Sequence, residues 1–358
     1  MITSRNLLEE YLALFRNGPI SDPTGLLGRE TELAAICEAL SRWEAGERFN
    51  VLLVGERGSG KTSLVDCAQK QFCRHLEVIR GELCQRLTLE PQIREFLHRV
   101  LGAGPAEESE TLLASRRRVV ILEGIERAFL RRVGYYGAIR AVQGLVAATG
   151  TTTLWVLTVD RPGFELLNAG FRFADNFSQR IDLPPCSPET LREAIKNRHA
   201  RAGLQVAFTG TPKEKTFAGW PLRAGSREGD RESDFFKALA RESGGILEPA
   251  FELWVGQVEG VEHNVVHVSQ DGPVPDSSSL KALDLSDLFT LRAILQHGCL
   301  TPDEHATVFH TDISLSQAQI DRLCARGLVE RDPKWPGVRV RPLLLGAVKS
   351  ALYEHHLA

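Results

Sequence analysis

An eight-residue segment, Gly55-Glu56-Arg57-Gly58-Ser59-Gly60-Lys61-Thr62, carries the residue types that hold phosphate groups. Its glycines let backbone N–H groups close around an anion, while the Lys61 ammonium reaches the terminal phosphates and the Thr62 hydroxyl can ligate Mg²⁺. Ser63 follows at the start of a predicted helix, whose N-terminal dipole adds positive potential. The spacing therefore predicts contacts to the phosphates of a nucleotide from Gly55 through Ser63.

A second group of acidic residues follows an apolar segment, residues 119–122. In nucleotidases with such a phosphate loop, the acidic residue at this point contributes to Mg²⁺ binding, and a neighbouring group orients the attacking water. Glu123 is the predicted metal-side residue, but Gly124 occupies the next position. Glu126 is the nearest substitute, and two interpretations stay open for it, a catalytic base or ordinary surface charge. We therefore expect slow hydrolysis.

Further candidates follow the next apolar segment, residues 154–158. Thr158 and Asp160 are predicted to sense the terminal phosphate, although Asp160 is also suited to cap the turn before Pro162. Arg172 and Arg180 precede the last predicted strand. Either one is a candidate arginine finger for the nucleotide of a neighbouring subunit, and the alternative is an ordinary surface arginine.

Alternating strands and helices must position these side chains. Apolar strands are predicted at 49–54, 76–79, 119–122, 154–158 and 180–183, with helices between them. This alternation predicts an α/β fold in which a parallel sheet is covered by helices on both faces. The ligand-binding loops are then expected at the carboxyl ends of the strands.

The chain is predicted to contain several domains. An N-terminal helix within residues 1–25 precedes a nucleotide core at 26–186. Helices predicted at 188–202, 232–243 and 247–258 form a small helical subdomain within 187–270. Residues 209–231 are Gly-rich and charged without periodicity, which predicts a mobile insertion, and 271–282 form a polar linker. A C-terminal domain is predicted at 283–358.

Composition restricts the class of protein. A length of 358 residues allows two or three domains, and 43% hydrophobic with 25% charged residues is typical of a globular protein. The absence of an apolar run long enough for a membrane span predicts a cytoplasmic protein without a membrane partner. Seven cysteines without metal-ligand spacing do not indicate a zinc site. A net charge of −3 argues against a globally basic nucleic-acid binder.

Taken together, these motifs resemble those of the AAA+ ATPases, particularly bacterial ATPases similar to origin-recognition and transposition-regulator proteins. The chain is also similar to the related STAND switch ATPases. The resemblance covers about residues 26–257 and rests on five motifs: Leu27-Gly28-Arg29-Glu30 with Glu32-Leu33, the phosphate loop, VVILEGIE at 119–126, LTVDRP at 157–162, and Ser243-Gly244-Gly245.

This resemblance implies ATP or ADP with Mg²⁺ as ligands, with Gly28 and Arg29 beside the adenine and with Thr62 and Glu123 at the metal. It also implies a lid subdomain after the core. The chain departs from the family pattern at Gly124 and at Ile246-Leu247-Glu248, where the family carries a lid arginine. Both departures favour a switch over a motor.

The C-terminal domain is similar to a winged helix. Helices are predicted at 285–296, 301–308 and 315–326, followed by a hairpin that turns near Pro336-Gly337. The similarity implies a recognition helix at 316–326 and a wing at 329–340. The candidate contacts to duplex DNA are Gln317, Gln319, Arg322, Arg326, Lys334 and Arg339. Residues 286–358 contain eight basic and eight acidic residues, so packing or protein contact stays open as the alternative.

Three functions follow from these observations. The first is an ATP-dependent switch that controls self-association or the binding of a partner protein. The second is a DNA-binding loader or regulator in replication, transposition or mobile-element defence. The third is a regulatory protein that binds nucleotide without turnover, a reading prompted by Gly124.

Overall fold

The computed structural model describes residues 4–15, 25–72, 75–102, 109–209, 228–269 and 283–357, together with Gly18 and Leu280. The chain forms two compact units, each discontinuous in sequence: residues 20–184 with 277–358, and residues 1–19 with 185–276. The predicted insertion at 209–231 and the predicted linker at 271–282 lie mostly outside the described residues. No helix in the described part of the chain is long and apolar enough to cross a membrane.

A five-stranded parallel sheet forms the centre of the larger unit. Its strands are β1 (Asn50–Gly55), β2 (Val78–Glu82), β3 (Arg118–Glu123), β4 (Thr153–Asp160) and β5 (Gln179–Asp182), in the order β2-β3-β4-β1-β5. Gly55 of β1 pairs with Asp160 of β4, and Glu82 of β2 pairs with Glu123 of β3. Because the strands are parallel, these polar ends meet at one edge of the sheet. The predicted α/β class is confirmed.

Helices cover both faces of this sheet, because successive residues of a buried strand point to opposite sides. Leu52 and Leu122 face one hydrophobic core, whereas Leu53 and Ile121 face the other. The first core is closed by α4 (Glu90–Val100), α5 (Ser109–Ser115), α6 (Gly137–Thr149) and α7 (Arg161–Phe171). The second is closed by α2 (Glu30–Glu44) and α3 (Lys61–Phe72).

The larger unit also contains what we call the C-terminal module, residues 283–357. It consists of α11 (Leu285–His297), α12 (Pro302–Phe309), α13 (Ile313–Ala325), the antiparallel strands β9 (Val329–Arg331) and β10 (Val338–Val340), and α14 (Leu345–Glu354). Asp284 and Thr301 cap the first two helices through their side chains. The module has its own hydrophobic core, to which Leu130 from the segment after β3 also belongs. Residues 329–340 are called the hairpin below.

The smaller unit differs from the purely helical subdomain that the sequence predicts. It combines α1 (Ser4–Ala13), α8 (Pro188–Ala200), α9 (Glu228–Ser243) and α10 (Leu247–Gly256) with the strands β6 (Gln205–Thr209), β7 (Val258–Glu262) and β8 (Val265–Ser269). These strands form one sheet in the order β6-β8-β7.

The predicted helix 247–258 was therefore extended too far. The helix ends at Gly256, and Val258 is the first residue of β7, which joins β8 through a turn at His263 and Asn264, both at positive φ. Such a pair is typical of a two-residue hairpin turn. Alternating Val266 and Val268 on β8 are fully buried, which is the period-two signal that the helical interpretation passed over.

Two adjacent glycines after α9 provide a test of the packing in the smaller unit. Both Gly244 (φ 61°) and Gly245 (φ 70°) are left-handed, but only a Cβ at Gly245 meets backbone, 2.7 Å from the Cys186 carbonyl oxygen. Gly244→Ala should therefore lower the free energy of unfolding by about 1 kcal/mol, because alanine is strained in the left-handed conformation. Gly245→Ala should lower the free energy of unfolding by roughly 1–3 kcal/mol more, because the contact with the Cys186 backbone must also be relieved. Thermal unfolding of the two variants checks this, and equal melting temperatures would contradict it.

Candidate nucleotide site

The phosphate loop connects β1 to α3 and depends on its glycines. Gly58 and Gly60 adopt φ angles of 78° and 95°, which place the backbone in the left-handed region. A Cβ at Gly55 would lie 2.6 Å from the Ser59 hydroxyl oxygen and 3.0 Å from the Leu183 Cβ, so a larger residue would have to displace side chains of the site. Lys61 is the first residue of α3, and the loop therefore presents the N-terminal end of that helix.

An ion pair joins the loop to the neighbouring strand. The Lys61 ammonium donates to the Asp160 carboxylate at 2.7 Å and to the carbonyl oxygens of Gly55 and Glu56, both at 2.9 Å. Burial alone would raise the pKa of Asp160, but the charges of Lys61 and Arg57 outweigh burial and lower it. Asp160 is thus an anion that holds the lysine in place. It occupies the N-cap position of α7, yet its side chain makes no capping hydrogen bond to the described residues of that helix.

The two predicted metal-side residues lie together. The Thr62 hydroxyl donates to one Glu123 carboxylate oxygen at 2.7 Å. Hydroxyl and carboxylate oxygens are the protein donors that suit Mg²⁺, which retains several waters. The other Glu123 oxygen accepts from Arg80 at 2.7 Å, and Arg80 also pairs with Asp66 of α3. Sequence reasoning missed Arg80, since an arginine on a strand carries no motif.

Glu126 lies away from the surface, which corrects the interpretation as ordinary surface charge. It is 4% exposed, and its carboxylate accepts from the Asp160 backbone N–H at 3.1 Å and from Arg127 at 3.2 Å. Burial, reinforced by the Asp160 charge, raises the pKa of Glu126. Gly124, in the left-handed conformation, donates through its N–H to the Thr158 hydroxyl at 3.4 Å. Glu126 therefore supports the end of β4.

The remaining predicted nucleotide contacts lie in different places. Gly28 is at positive φ, and the buried Arg29 donates to the Ser59 carbonyl oxygen of the phosphate loop at 3.4 Å. Ser63 is in the first turn of α3 and is partly buried.

The two candidate arginine fingers lie elsewhere. Arg172 is an exposed residue that pairs with Asp175, and Arg180 pairs with Asp182. The structure thus brings Arg29 to the phosphate loop, whereas both candidate fingers are engaged in local ion pairs.

The C-terminal module contacts the phosphate loop directly. One Arg57 nitrogen pairs with the Asp332 carboxylate at 2.5 Å, and another donates to the Gly298 carbonyl oxygen at 3.0 Å. Lys349 pairs with Glu56 at 2.5 Å. No motif predicts these contacts, because Arg57 and Glu56 occupy variable positions of the phosphate-loop pattern.

Arg86 forms a second connection between the core and the module. Its guanidinium donates to the carbonyl oxygens of Glu126 and Phe129 on the core side. On the module side it donates to the carbonyl oxygens of His297 and Cys299, and it forms an ion pair with Glu304 at 2.9 Å. Five oxygens from three segments of the chain thus converge on one largely buried cation.

The six candidate DNA contacts face carboxylates of the chain itself. Gln319, Arg322 and Arg326 all donate to Asp287, a fully buried residue of α11. Gln317 donates to Asp321 on its own helix, Lys334 pairs with Glu82, and Arg339 pairs with Glu330. Direct base readout by these side chains would first require breaking such contacts.

A buried histidine adds pH dependence to the attachment of the module. His297 Nδ1 lies 2.7 Å from the Ala293 carbonyl oxygen, and Nε2 accepts from the Arg131 backbone N–H at 3.0 Å. These contacts fix the neutral Nδ1–H tautomer. Burial, reinforced by the charge of Arg86, lowers the pKa of His297 from 6.5 to about 3.

We expect the free energy of unfolding to fall as the pH drops from about 6.5 towards 3, because the unfolded chain binds the proton first. The slope should be about 1.4 kcal/mol per pH unit for His297 alone. His305, whose pKa burial lowers to about 4, adds to it. Denaturant titrations at several pH values should give a shallower slope for His297→Gln, whereas the exposed His355→Gln should match wild type. An unchanged slope in His297→Gln would contradict the assignment.

Comparison with solved structures gives likeness across nearly the whole chain at low identity. The Aeropyrum pernix ORC2 protein is 15% identical, with a TM-score of 0.49 over 96% of this chain and 98% of that one. Cdc6p from Pyrobaculum aerophilum is 15% identical, with a TM-score of 0.49 over 97% and 98%. The RuvB branch migration motor of Thermotoga maritima is 15% identical, with a TM-score of 0.44 over 96% and 99%.

The sequence itself decides the family. No curated protein matches the chain in sequence. The profile of the AAA ATPase domain, however, matches residues 25–242, which is more than half of the chain. That span contains the phosphate loop, Glu123 and Asp160, and the sheet that brings them to one edge. The chain therefore belongs to the AAA ATPase family.

Proposed function

We propose that this AAA ATPase is an ATP-binding molecular switch with slow turnover, whose nucleotide state governs the C-terminal module and thereby assembly or partner binding. The observation that carries the proposal is the attachment of the module to the nucleotide-site edge of the sheet. Arg86 links the segment directly after Glu123 to the module through the carbonyl oxygens of Glu126 and Cys299. Arg86 thus gives a change at that edge a direct path to the module.

The binding chemistry follows from the positions of the loop residues. Lys61 would exchange its contacts with the loop carbonyls for contacts with the terminal phosphates, while Asp160 holds the ammonium in position. Thr62 and Glu123 would hold Mg²⁺, which neutralises phosphate charge when bound. Arg80 orients the Glu123 carboxylate for that role. Arg29 lies beside the loop at Ser59 and supports the proposed adenine side of the site.

The residues after β3 support slow hydrolysis. Gly124 supplies no side chain where a base or water-orienting group would stand. The Glu126 carboxylate is occupied by the Asp160 amide and by Arg127, so it serves better as a positioning group than as a base. Thr158 and Asp160 remain the proposed sensors of the terminal phosphate. Slow turnover gives the ATP-bound state a long lifetime, as a switch requires.

We infer that the C-terminal module is a winged helix used for protein contact. The residues that would read duplex DNA are paired with Asp287 and other carboxylates. The exposed positions of α11 and α13 instead include the apolar side chains Phe289, Ile313 and Leu315. Apolar groups gain nothing from phosphate but stabilise protein interfaces. A DNA-binding loader or regulator is the second candidate, and duplex binding that weakens steeply with salt would favour it.

Nucleotide binding and turnover are tested with two variants of the site. Lys61→Ala should weaken ATP binding on the order of 10- to 100-fold, because a charge-assisted contact to phosphate is lost. Glu123→Gln should bind ATP with a reduced dependence on Mg²⁺ and should lose phosphate release. Calorimetry and a phosphate-release assay measure both effects, with the exposed Glu165→Gln as the matched control. Equal affinity of wild type and Lys61→Ala would refute the site.

The switch itself is tested by self-association. The sedimentation coefficient of the wild-type protein should differ among ATP, ADP and no nucleotide, because the two nucleotides differ in the terminal phosphate that the switch reads. Lys61→Ala should sediment like the nucleotide-free wild type in all three conditions. If neither sedimentation nor the binding of any partner protein responds to nucleotide, the chain is a static nucleotide-binding protein and the switch is disproved.

A further inference from the structure

Asp332 of the hairpin is a buried carboxylate that faces the phosphate loop. Its side chain is fully buried, and one oxygen accepts from the backbone N–H groups of Lys334 and Trp335 at 2.9 and 3.1 Å. The other oxygen lies 2.5 Å from an Arg57 nitrogen. A buried carboxylate is costly without a cationic partner. The ion pair therefore ties the hairpin to the loop.

The hairpin is held firmly where it meets Arg57. Val338 exchanges backbone hydrogen bonds with Leu300, and a Cβ at Gly337 would lie 2.6 Å from the Leu300 carbonyl group. The Trp335 ring lies under the guanidinium groups of both Arg57, at 4.8 Å, and Arg127, at 3.4 Å. The position of Asp332 is thus set by backbone contacts and by the contacts of the neighbouring Trp335 ring with two guanidinium groups.

Arg57 also lies within electrostatic reach of the nucleotide site. Its charge helps to lower the pKa of Asp160, which is itself bonded to Lys61. The Arg57 side chain is 23% exposed, so it is not sealed in the interface with the hairpin. An arginine on the phosphate loop is suited to contact a phosphate oxygen. A nucleotide in the loop would bring a second anion towards the guanidinium that pairs with Asp332.

We propose that Arg57 couples the nucleotide site to the C-terminal module because the Asp332 carboxylate and the nucleotide phosphates compete for its guanidinium. The proposal rests on the proposed function and names the residue pair that transmits the state of the site. In the structure described here, Asp332 holds Arg57 and the hairpin is docked. Phosphate binding draws the guanidinium away and leaves Asp332 without its cation, which weakens the docking of the hairpin. By linkage, a docked hairpin weakens nucleotide binding by the same factor.

Competition predicts that the two partners, when mutated, shift nucleotide affinity in opposite directions. Asp332→Asn keeps an oxygen acceptor for the Lys334 and Trp335 N–H groups but removes the charge, so ATP should bind about five- to tenfold more tightly. Arg57→Gln removes the phosphate contact, so ATP should bind about tenfold more weakly. The double variant should match Arg57→Gln, because Asp332 acts only through Arg57.

Calorimetric titration with ATP and with ADP measures these affinities. The exposed Glu165→Gln on α7, which leaves both Arg57 and the hairpin ion pairs intact, serves as the control and should keep wild-type affinity. A purely structural ion pair would move both Arg57→Gln and Asp332→Asn in the same direction, or move neither, and either result overturns the proposal. If wild type and Lys61→Ala bind ATP equally, the failure belongs to the nucleotide site itself.

Hydrogen exchange of residues 328–341 provides a readout that is independent of affinity. Exchange should become faster when a non-hydrolysable ATP analogue binds the wild-type protein, and it should already be fast in nucleotide-free Asp332→Asn. Thermal unfolding confirms that each variant is folded. Protection of the hairpin that is unchanged by the analogue, in protein shown by calorimetry to be saturated, would also overturn the proposal.

Discussion

The pairing of Lys61 with Asp160 is the interaction on which the site depends. It exists because β1 and β4 are parallel neighbours in a register that sets Gly55 opposite Asp160. A slip by one residue would replace this carboxylate with the buried Val159 and reverse every side chain of the strand. The Glu126 carboxylate accepts from the Asp160 backbone N–H, and the charge of Arg57 helps to keep the Asp160 carboxylate ionised. The strand register therefore determines the electrostatics of the whole site.

The sequence predicts the parts of this site that local pattern encodes. A buried parallel strand appears as an unbroken apolar run, and the phosphate loop needs glycines at fixed spacing, so the sheet, Lys61 and Glu123 are all predictable. Arg80 and Arg86 are not, because each is defined by partners that are distant in sequence. The burial of Glu126 is not predictable for the same reason. The sequence around an acidic residue does not show whether residues from other parts of the chain will bury that residue in the fold.

The C-terminal module shows the difference between counting charges and locating them. Across residues 286–358, a balance of eight basic and eight acidic residues is compatible with a polarised, DNA-binding face. In the folded module, Asp287 lies under α13 and accepts from three of the predicted contact residues. Asp287 lies in the first turn of α11 as part of its capping box. The sequence pattern predicts this capping role, but it does not predict the partners of Asp287 on α13.

Arg86 has a consequence for how the chain reaches its native state. Five oxygens within 3.3 Å satisfy its guanidinium, and three of them belong to residues 297–304, more than 200 positions later. During synthesis the segment around Arg86 emerges long before those partners exist, so it must stay hydrated or find substitutes. Every strand of the central sheet ends by Asp182, so the sheet can assemble during synthesis before the partners of Arg86 in residues 297–304 are available.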